Sequence, residues 1–179
     1  MPRLSVLLTV CYLLLPTFVF AQTLDIPTFQ QKADQGDAVA QYELGRLYHA
    51  GKGVQRNLEK AYDLFRQSAG QGYAGGQNGL GVMYQHGQSV KRYYAKAVGW
   101  YEKSAQQGFA KAQTNIGVIY QYGRGVKEDY SKAIEWHKKA ADQGYAKAQT
   151  NLGFMYAFGI GMKHERGCPK GHILVSKSC

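Results

Sequence analysis

Residues 108–143 have the sequence GFAKAQTNIGVIYQYGRGVKEDYSKAIEWHKKAADQ, and its pattern recurs along most of the chain. Blocks of 36 residues begin at Gly36, Gly72, Gly108 and Gly144, with no insertion between them. Six places hold one residue type in all four blocks, and in the third block they are Gly108, Ala110, Gln113, Gly117, Tyr120 and Gly123. A repeat of this length predicts a solenoid, because one unit alone cannot bury its apolar face.

The first half of each block is predicted to form a helix. In the third block Ala112, Ile116 and Tyr120 recur at i, i+4 and i+8 and therefore share one face. Gly117 lies beside that face. A glycine inside a helix costs about 1 kcal/mol relative to alanine, so its recurrence indicates a close approach between two helices. Gly123 begins a Gly-x-Gly turn, which predicts the end of this first helix.

The second half of each block predicts another helix. Asp129 is the expected N-cap of this helix in the third block. Apolar and aromatic positions recur there at i, i+3, i+4 and i+7, so the buried face should consist of Ala133, Trp136, His137 and Ala140. Gly144 follows and predicts the end of the second helix.

The repeat also sets the expected organisation of the chain. Residues 29–35 resemble the end of the third block, which predicts a capping helix within residues 22–35. Complete repeats are expected at 36–71, 72–107 and 108–143, followed by an incomplete repeat at 144–179. The predicted fold class is all-α, an α/α solenoid of helix-turn-helix units.

The last unit departs from the pattern after Lys163. Pro169 stands where the earlier units have Ala61, Ala97 and Ala133, and a proline inside a helix removes a hydrogen bond and clashes with the preceding turn. We therefore expect an irregular tail in place of a second helix. The apolar end left uncovered should fray or self-associate weakly. A native tail and a frameshifted or truncated array both fit the sequence.

The N-terminus has the pattern of an export signal. Arg3 precedes a nearly all-apolar run over residues 4–21, and Ala21 ends a cleavage site of small residues. We expect a signal peptide over residues 1–21 and a periplasmic or secreted mature chain without a membrane anchor; a retained anchor is the alternative. In an oxidising compartment Cys168 and Cys179 fit a disulfide, and two free thiols fit the sequence equally well.

Composition and spacing limit the chemistry that the chain supports. Lys and Arg number 22 against 12 Asp and Glu, a net charge of +10 that favours an acidic partner, and export argues against nucleic acid. No serine is followed three places later by lysine, the spacing that serine β-lactamases and penicillin-binding proteins need. No two of the five histidines are spaced i, i+4, as a zinc-protease helix requires. We expect no catalytic site, metal ion or cofactor.

The repeat resembles the Sel-one-like repeat, a relative of the tetratricopeptide repeat. The resemblance rests on Ala112, Ile116, Gly117, Tyr120, Gly123, Gly125 and Val126, and then on Asp129, Lys132, Ala133, Trp136, Lys139, Ala140 and Ala141. It covers residues 29 to about 163 and implies a right-handed α/α superhelix that acts as a protein-interaction adaptor, with no shared catalytic motif. One cysteine-rich branch of the family binds penicillin-type compounds. An envelope penicillin-binding or β-lactamase-like protein is therefore an alternative, although the paired cysteines of that branch are absent here.

The resemblance also indicates where a partner would bind. First helices line the concave face of tetratricopeptide-like arrays, and their positions that differ between units are free to recognise a protein or peptide. The candidate partner-binding residues are Tyr42, Arg46, Asn78, Gln85, Lys111, Gln121, Tyr122, Lys147, Phe154 and Phe158. Lys60, Lys96 and Lys132 share one place of the unit and predict a basic stripe, which either is simply solvated or binds an acidic glycan or lipid.

Overall fold

A computed structural model of the chain describes residues 25–161. Over this range the chain forms eight helices and no strands, so the all-α solenoid predicted from the repeat is confirmed. The helices are α1 (Ile26–Asp34), α2 (Ala38–Ala50), α3 (Leu58–Gly70), α4 (Ala74–His86), α5 (Tyr94–Gln106), α6 (Ala110–Tyr122), α7 (Tyr130–Asp142) and α8 (Ala146–Ala157). The predicted signal peptide, the tail after Lys163 and its two cysteines lie outside the described residues.

Each helix packs against the next helix along the chain. Helices α2 and α3, α4 and α5, and α6 and α7 form three hairpins, and each hairpin contacts the one that follows. Helix α1 packs against α2 through Ala33, which is buried in one cluster with Ala40, Leu44 and Leu47. This is the arrangement expected of an N-terminal capping helix, because it removes the exposed apolar side of the first unit from water. At the other end of the described range, α8 packs against α7.

Glycines in a left-handed backbone conformation end the first helices. The φ angle is 68° at Gly51, 67° at Gly87 and 62° at Gly123, values that glycine adopts without a steric cost. The N–H of Gly51 donates a hydrogen bond of 2.8 Å to the carbonyl oxygen of Leu47, which satisfies a carbonyl at the end of α2. The invariant glycine of the turn is therefore a helix C-cap, as its spacing predicts.

The second helices begin at an N-cap residue that differs between units. Asn57 Oδ1 accepts a hydrogen bond of 2.9 Å from the backbone N–H of Lys60, and Asp129 Oδ1 accepts one of 2.9 Å from Lys132. The cap predicted at Asp129 is confirmed. Helix α5 begins instead after Tyr93, whose side chain makes no such hydrogen bond.

One glycine and one ring set the distance between the two helices of each hairpin. A ring from the second helix lies directly against the invariant glycine inside the first helix, and the pairs are Gly45–Phe65, Gly81–Tyr101 and Gly117–His137. A Cβ atom built on Gly81 would lie 2.5 Å from Tyr101 Cε1, closer than two carbon atoms can approach. Any larger residue would therefore push the ring and its helix outward. The close helix approach predicted from the recurring glycine is confirmed.

The invariant glutamines join three helices through one side chain. Gln41 is buried in α2, where its Nε2 donates a hydrogen bond of 3.2 Å to the carbonyl oxygen of Ala33 at the end of α1. Its Oε1 accepts a hydrogen bond of 2.8 Å from Nε2 of Gln71, at the end of α3. The same two bonds recur at Gln113 in α6. A buried amide needs hydrogen-bond partners for its NH2 group and its oxygen, and this place of the repeat supplies both.

The second helix of the third unit differs from its predicted face at one residue. Ala133, His137 and Ala140 are buried as predicted, whereas Trp136 is only half-buried. The amine of Lys139 lies 4.3 Å from the centroid of the Trp136 ring, at the solvent side of the core. Trp136 therefore covers the rim of the core and is not a fully buried core residue.

We predict that two alanine substitutions at equivalent glycines have opposite effects on stability. Gly81→Ala should lower the free energy of unfolding by about 1–3 kcal/mol, because the added methyl group collides with the Tyr101 ring. Gly153→Ala should leave it unchanged or raise it by up to about 1 kcal/mol, because no described atom lies within 4 Å of the new Cβ. Urea unfolding measures both variants. Equal losses of stability would contradict the proposed role of the ring.

His137 is a polar residue in a place where the earlier units carry Phe65 and Tyr101. It is fully buried, and within residues 25–161 neither Nδ1 nor Nε2 has a hydrogen-bond partner. The Tyr101 hydroxyl, in contrast, donates a hydrogen bond of 2.8 Å to Gln85 Oε1. Burial lowers the pKa of His137 to about 4, and the positive charge of Lys147 adds to this shift.

We predict that His137 makes the fold sensitive to mild acid. The folded chain resists protonation of this imidazole until pH 4, whereas the unfolded chain takes up the proton near pH 6.5. The free energy of unfolding should therefore fall as the pH drops through this window, by up to about 3 kcal/mol. Unfolding by urea at several pH values measures the slope.

The variant His137→Phe is the control for this effect, because the chain already accommodates Phe65 at the equivalent place. At neutral pH it should be more stable than the wild type by about 1 kcal/mol, since no buried nitrogen atom is left without a partner. Its stability should also lose the part of the pH slope that His137 causes. Parallel slopes in the two proteins would show that other groups cause the acid sensitivity.

Candidate interaction surface

The candidate partner-binding residues divide into a buried set and an exposed set. Tyr42, Asn78 and Gln121 are buried, and Gln85 is half-buried. Asn78 Oδ1 accepts a hydrogen bond of 3.0 Å from Asn115 Nδ2, and Gln85 Oε1 accepts one of 2.8 Å from the Tyr101 hydroxyl. These four side chains contribute mainly to packing between helices, and little of their surface is available to a partner.

Tyr42 is the clearest member of the buried set. Its ring centroid lies 6.0 Å from that of Phe65, 5.5 Å from that of Tyr73 and 6.4 Å from that of Phe109. These rings come from three successive units, so the curvature of the array brings them together. Burial raises the pKa of the Tyr42 hydroxyl above its usual value. The aromatic residues at the start of α4 and α6 therefore pack against α2.

The other six candidates lie on the surface of the first helices. Three are charged residues on exposed positions: Arg46, Lys111 and Lys147. Arg46 Nη1 forms an ion pair of 2.6 Å with Glu43 Oε2, and its guanidinium carbon lies 5.7 Å from the centroid of the Tyr42 ring. The two lysines make no ion pair within residues 25–161.

Three exposed aromatic side chains complete this surface. Tyr122 is 57% exposed at the end of α6, Phe154 is 49% exposed in α8, and Phe158 is 69% exposed directly after α8. The ring centroids of Phe154 and Phe158 lie 4.5 Å apart, so the two rings form one apolar patch. Tyr122 and Phe158 occupy the same place in successive units. A contiguous exposed patch of aromatic side chains is typical of an interaction site, and tyrosine is a common interface anchor.

The sequence did not single out two further exposed tyrosines. Tyr156 is 46% exposed within the described range, whereas its equivalents Tyr48, Tyr84 and Tyr120 are half-buried. Tyr93 is 53% exposed and stands at the N-cap of α5, where the other units carry a small polar residue. The tyrosine at the cap position of α5 is visible in the sequence and would have predicted the exposed ring of Tyr93.

The predicted basic stripe is built from lysine–tyrosine pairs. The amines of Lys60, Lys96 and Lys132 lie 5.2 Å, 5.4 Å and 5.2 Å from the centroids of the rings of Tyr48, Tyr84 and Tyr120. At this distance a cation is attracted to the face of a ring. Each pair forms part of the wall of a shallow cavity at the start of a second helix, and the three cavities have volumes of about 430, 470 and 540 Å³.

Two further observations concern the described range alone. Between residues 25 and 161, no group of three His, Cys, Asp or Glu side chains could hold a metal ion together. None of the helices α1–α8 is both long enough and apolar enough to cross a membrane.

Comparison with known proteins assigns the repeats to a family. The model of the Sel1 repeat matches residues 38–73, 74–109, 110–145 and 146–166. The protective antigen c5321 of uropathogenic Escherichia coli, which has an SLR fold, is 40% identical with a TM-score of 0.68 over 76% of this chain. A Sel1 repeat protein from Oxalobacter formigenes is 34% identical with a TM-score of 0.69, also over 76% of this chain.

These similarities have defined limits. The matched region spans 29% of the Escherichia coli protein and 56% of the Oxalobacter formigenes protein. Cysteine rich protein B of Helicobacter pylori is 20% identical, with a TM-score of 0.57 over 73% of this chain and 98% of its own, and shares the fold alone. None of the curated proteins compared with the chain matches it. The repeats, their helical hairpins and the similar structures together show that this chain belongs to the Sel1 repeat family.

Proposed function

We propose that the chain is an exported, non-enzymatic scaffold that binds a partner protein or peptide along its first helices. Sel1 repeat proteins are in general protein-interaction scaffolds, and the four repeats matched here fit that role. The N-terminal pattern around Arg3 and Ala21 supports export to the periplasm or the cell exterior. We expect the binding surface to lie on the concave face of the array.

The observation that carries this proposal is the set of exposed rings on α6 and α8. Tyr122, Phe154 and Phe158 are exposed, whereas Ile116 and Ile119 of α6 and Met155 of α8 are buried. Removing a large ring from water on binding contributes a substantial apolar area at a low cost in side-chain entropy. The invariant places of the repeat are occupied by packing, so these variable places are the ones free to select a partner.

Charge supports an acidic partner for the same surface. Lys111 and Lys147 lie exposed on α6 and α8, one unit apart. Arg124 adds a third cation beside the rings, because its guanidinium carbon lies 5.1 Å from the centroid of the Tyr122 ring. Cations on the binding surface speed association with an acidic segment and oppose basic partners.

The α8 end supports a second contact, weak self-association. Phe154, Tyr156 and Phe158 are exposed there, and a Cβ atom on Gly153 would meet no described atom within 4 Å. In the earlier units the equivalent glycine lies under a ring of the second helix. We propose that this face of α8, which is exposed within residues 25–161, associates weakly with a second copy.

We predict that a photo-reactive benzoylphenylalanine at position 122 cross-links to a bound protein, whereas one at position 130 does not. Tyr130 is the matched control, because it is also an exposed tyrosine but lies on the second helix α7. Each variant is irradiated in an envelope extract of the native host cells, and adducts are identified by mass. The variant Phe158→Ser should reduce the adduct at 122, because it removes the equivalent anchor one unit away.

Two results would contradict the proposed surface. Equal adducts from positions 122 and 130 would mean that the first helices have no special role. An adduct with the mass of two copies of this chain, and no other, would assign the surface to self-association. An adduct with another protein that persists unchanged in Phe158→Ser would exclude the second aromatic anchor.

A further inference from the structure

The three cavities at the starts of the second helices are built in the same way from equivalent residues. Each is walled by the tyrosine–lysine pair, by a valine and by the loop that enters the second helix. Because their backbone is repeated, differences in binding must come from the few side chains that vary. The other two cavities therefore serve as controls for a ligand that binds to one of them.

The second cavity is the most strongly cationic of the three. Its wall contains Lys91, Arg92 and Lys96 and no carboxylate. In the third cavity the two lysines face Glu128 and Asp129, so that the formal charge of its wall is zero. The first cavity contains two cations, together with the amides of its loop. An anion would therefore be attracted to the second cavity above the others.

The lysine of the third cavity already has an anionic partner, and that of the second does not. Lys132 Nζ lies 3.7 Å from Asp129 Oδ2. Within residues 25–161 none of the three cations of the second cavity takes part in an ion pair. The place of Asp129 is taken by Tyr93, which also leaves the backbone N–H of Lys96 without a side-chain acceptor. Because the second unit has Tyr93 in place of an aspartate, no carboxylate at this place competes with an external anion for Lys96.

The second cavity is also held in shape before any ligand arrives. The amine of Lys96 lies 5.4 Å from the centroid of the Tyr84 ring and 5.6 Å from that of Tyr93. The Tyr84 hydroxyl forms a hydrogen bond of 3.2 Å with that of Tyr62 on α3, which orients the ring. The backbone N–H of Tyr93 donates a bond of 2.9 Å to the carbonyl oxygen of Tyr84, which closes the loop. A preformed wall lowers the entropy cost of binding.

We propose that this cavity binds a carboxylate-rich segment of the partner protein, through Lys91, Arg92 and Lys96. This inference rests on the proposed scaffold function and adds to it a second site, on a loop and the start of a second helix. Carboxylates match the charge of the wall, and the exposed Tyr93 ring offers an apolar surface to the backbone of an acidic peptide. A protein segment is favoured over a free ion because three separate cations and a ring contact more than one group.

The test compares two double variants at equivalent positions. Lys91→Gln with Lys96→Gln removes two cations from the second cavity, and Lys127→Gln with Lys132→Gln removes the equivalent two from the third. Both variants change the net charge equally, and all four side chains are exposed. The probe is a fluorescein-labelled hexaglutamate peptide, with hexaglutamine as the uncharged control, and binding to the full mature chain is measured by fluorescence anisotropy.

The wild type should bind hexaglutamate and not hexaglutamine, with an affinity that falls as sodium chloride is added. Lys91→Gln with Lys96→Gln should weaken binding by about tenfold, and the third-cavity variant by less than about twofold. Equal losses would show that only total charge matters and would overturn the proposal, as would a wild type that does not bind. Helical circular dichroism confirms that both variants are folded.

Two further arms distinguish other sources of the anion. Saturable binding of sodium sulfate to the wild type, without binding of hexaglutamate, would assign the cavity to a free oxyanion and overturn the proposal. Binding of the wild type to phosphatidylglycerol vesicles but not to hexaglutamate would assign it to a membrane surface, with the same consequence. The cross-link at position 122 is a separate readout. An adduct at position 122 without hexaglutamate binding would support the scaffold function and overturn this second site. Hexaglutamate binding without an adduct would support the second site and count against the surface on the first helices.

Discussion

The contact between one glycine and one ring in each hairpin sets the geometry on which the rest of the array depends. At Gly81 the backbone of α4 lies so close to Tyr101 that no Cβ atom fits between them. The glycine costs helix stability, and the buried ring offsets that cost through the apolar area it removes from water. Because Gly45 and Gly117 repeat the contact, the helices of each hairpin keep one spacing and the hairpins can stack with a constant period.

Polar contacts also hold the two helices of a hairpin together and join its first helix to the helix before it. The amide of Gln41 bridges α1 and α3, and Ser68 Oγ in α3 donates a hydrogen bond of 2.6 Å to the carbonyl oxygen of Ala38 at the start of α2. Ser104 repeats the serine contact one unit later. A buried amide or hydroxyl is costly without its partner, so these bonds select one arrangement of helices from many that would bury similar apolar area.

Under the proposed function, the variable places that stay exposed select the partner, and they occur in two regions. Along the first helices they include the exposed rings of Tyr122 and Phe158. At the starts of the second helices, the second unit carries Tyr93 at the place where the third unit carries Asp129. This difference changes the charge of an otherwise repeated cavity. Both regions are cationic and aromatic, in agreement with the excess of Lys and Arg over Asp and Glu in the whole chain. A partner that combines acidic and apolar groups would match both.

The sequence predicted the elements of the fold better than the contacts between units. Helix ends at Gly123 and the cap at Asp129 follow from local backbone chemistry, so spacing alone was enough to predict them. The burial of Tyr42 depends on rings that lie one and two units away in sequence, which a pattern within one helix does not contain. The helical spacing of Trp136 predicted a core residue. Helical spacing shows which face of the helix a side chain lies on, but not how deeply that side chain is buried.

The most direct test of this account is the coupling free energy between Gly81→Ala and Tyr101→Ala, measured by urea unfolding of the wild type, both single variants and the double variant. If the glycine exists to admit the ring, alanine at position 81 should cost little or even stabilise the helix once the ring is gone. The account therefore predicts that the double variant is more stable than the sum of the single effects by about 1–3 kcal/mol. Additive losses would contradict it, because the glycine would then be required for a reason unrelated to Tyr101.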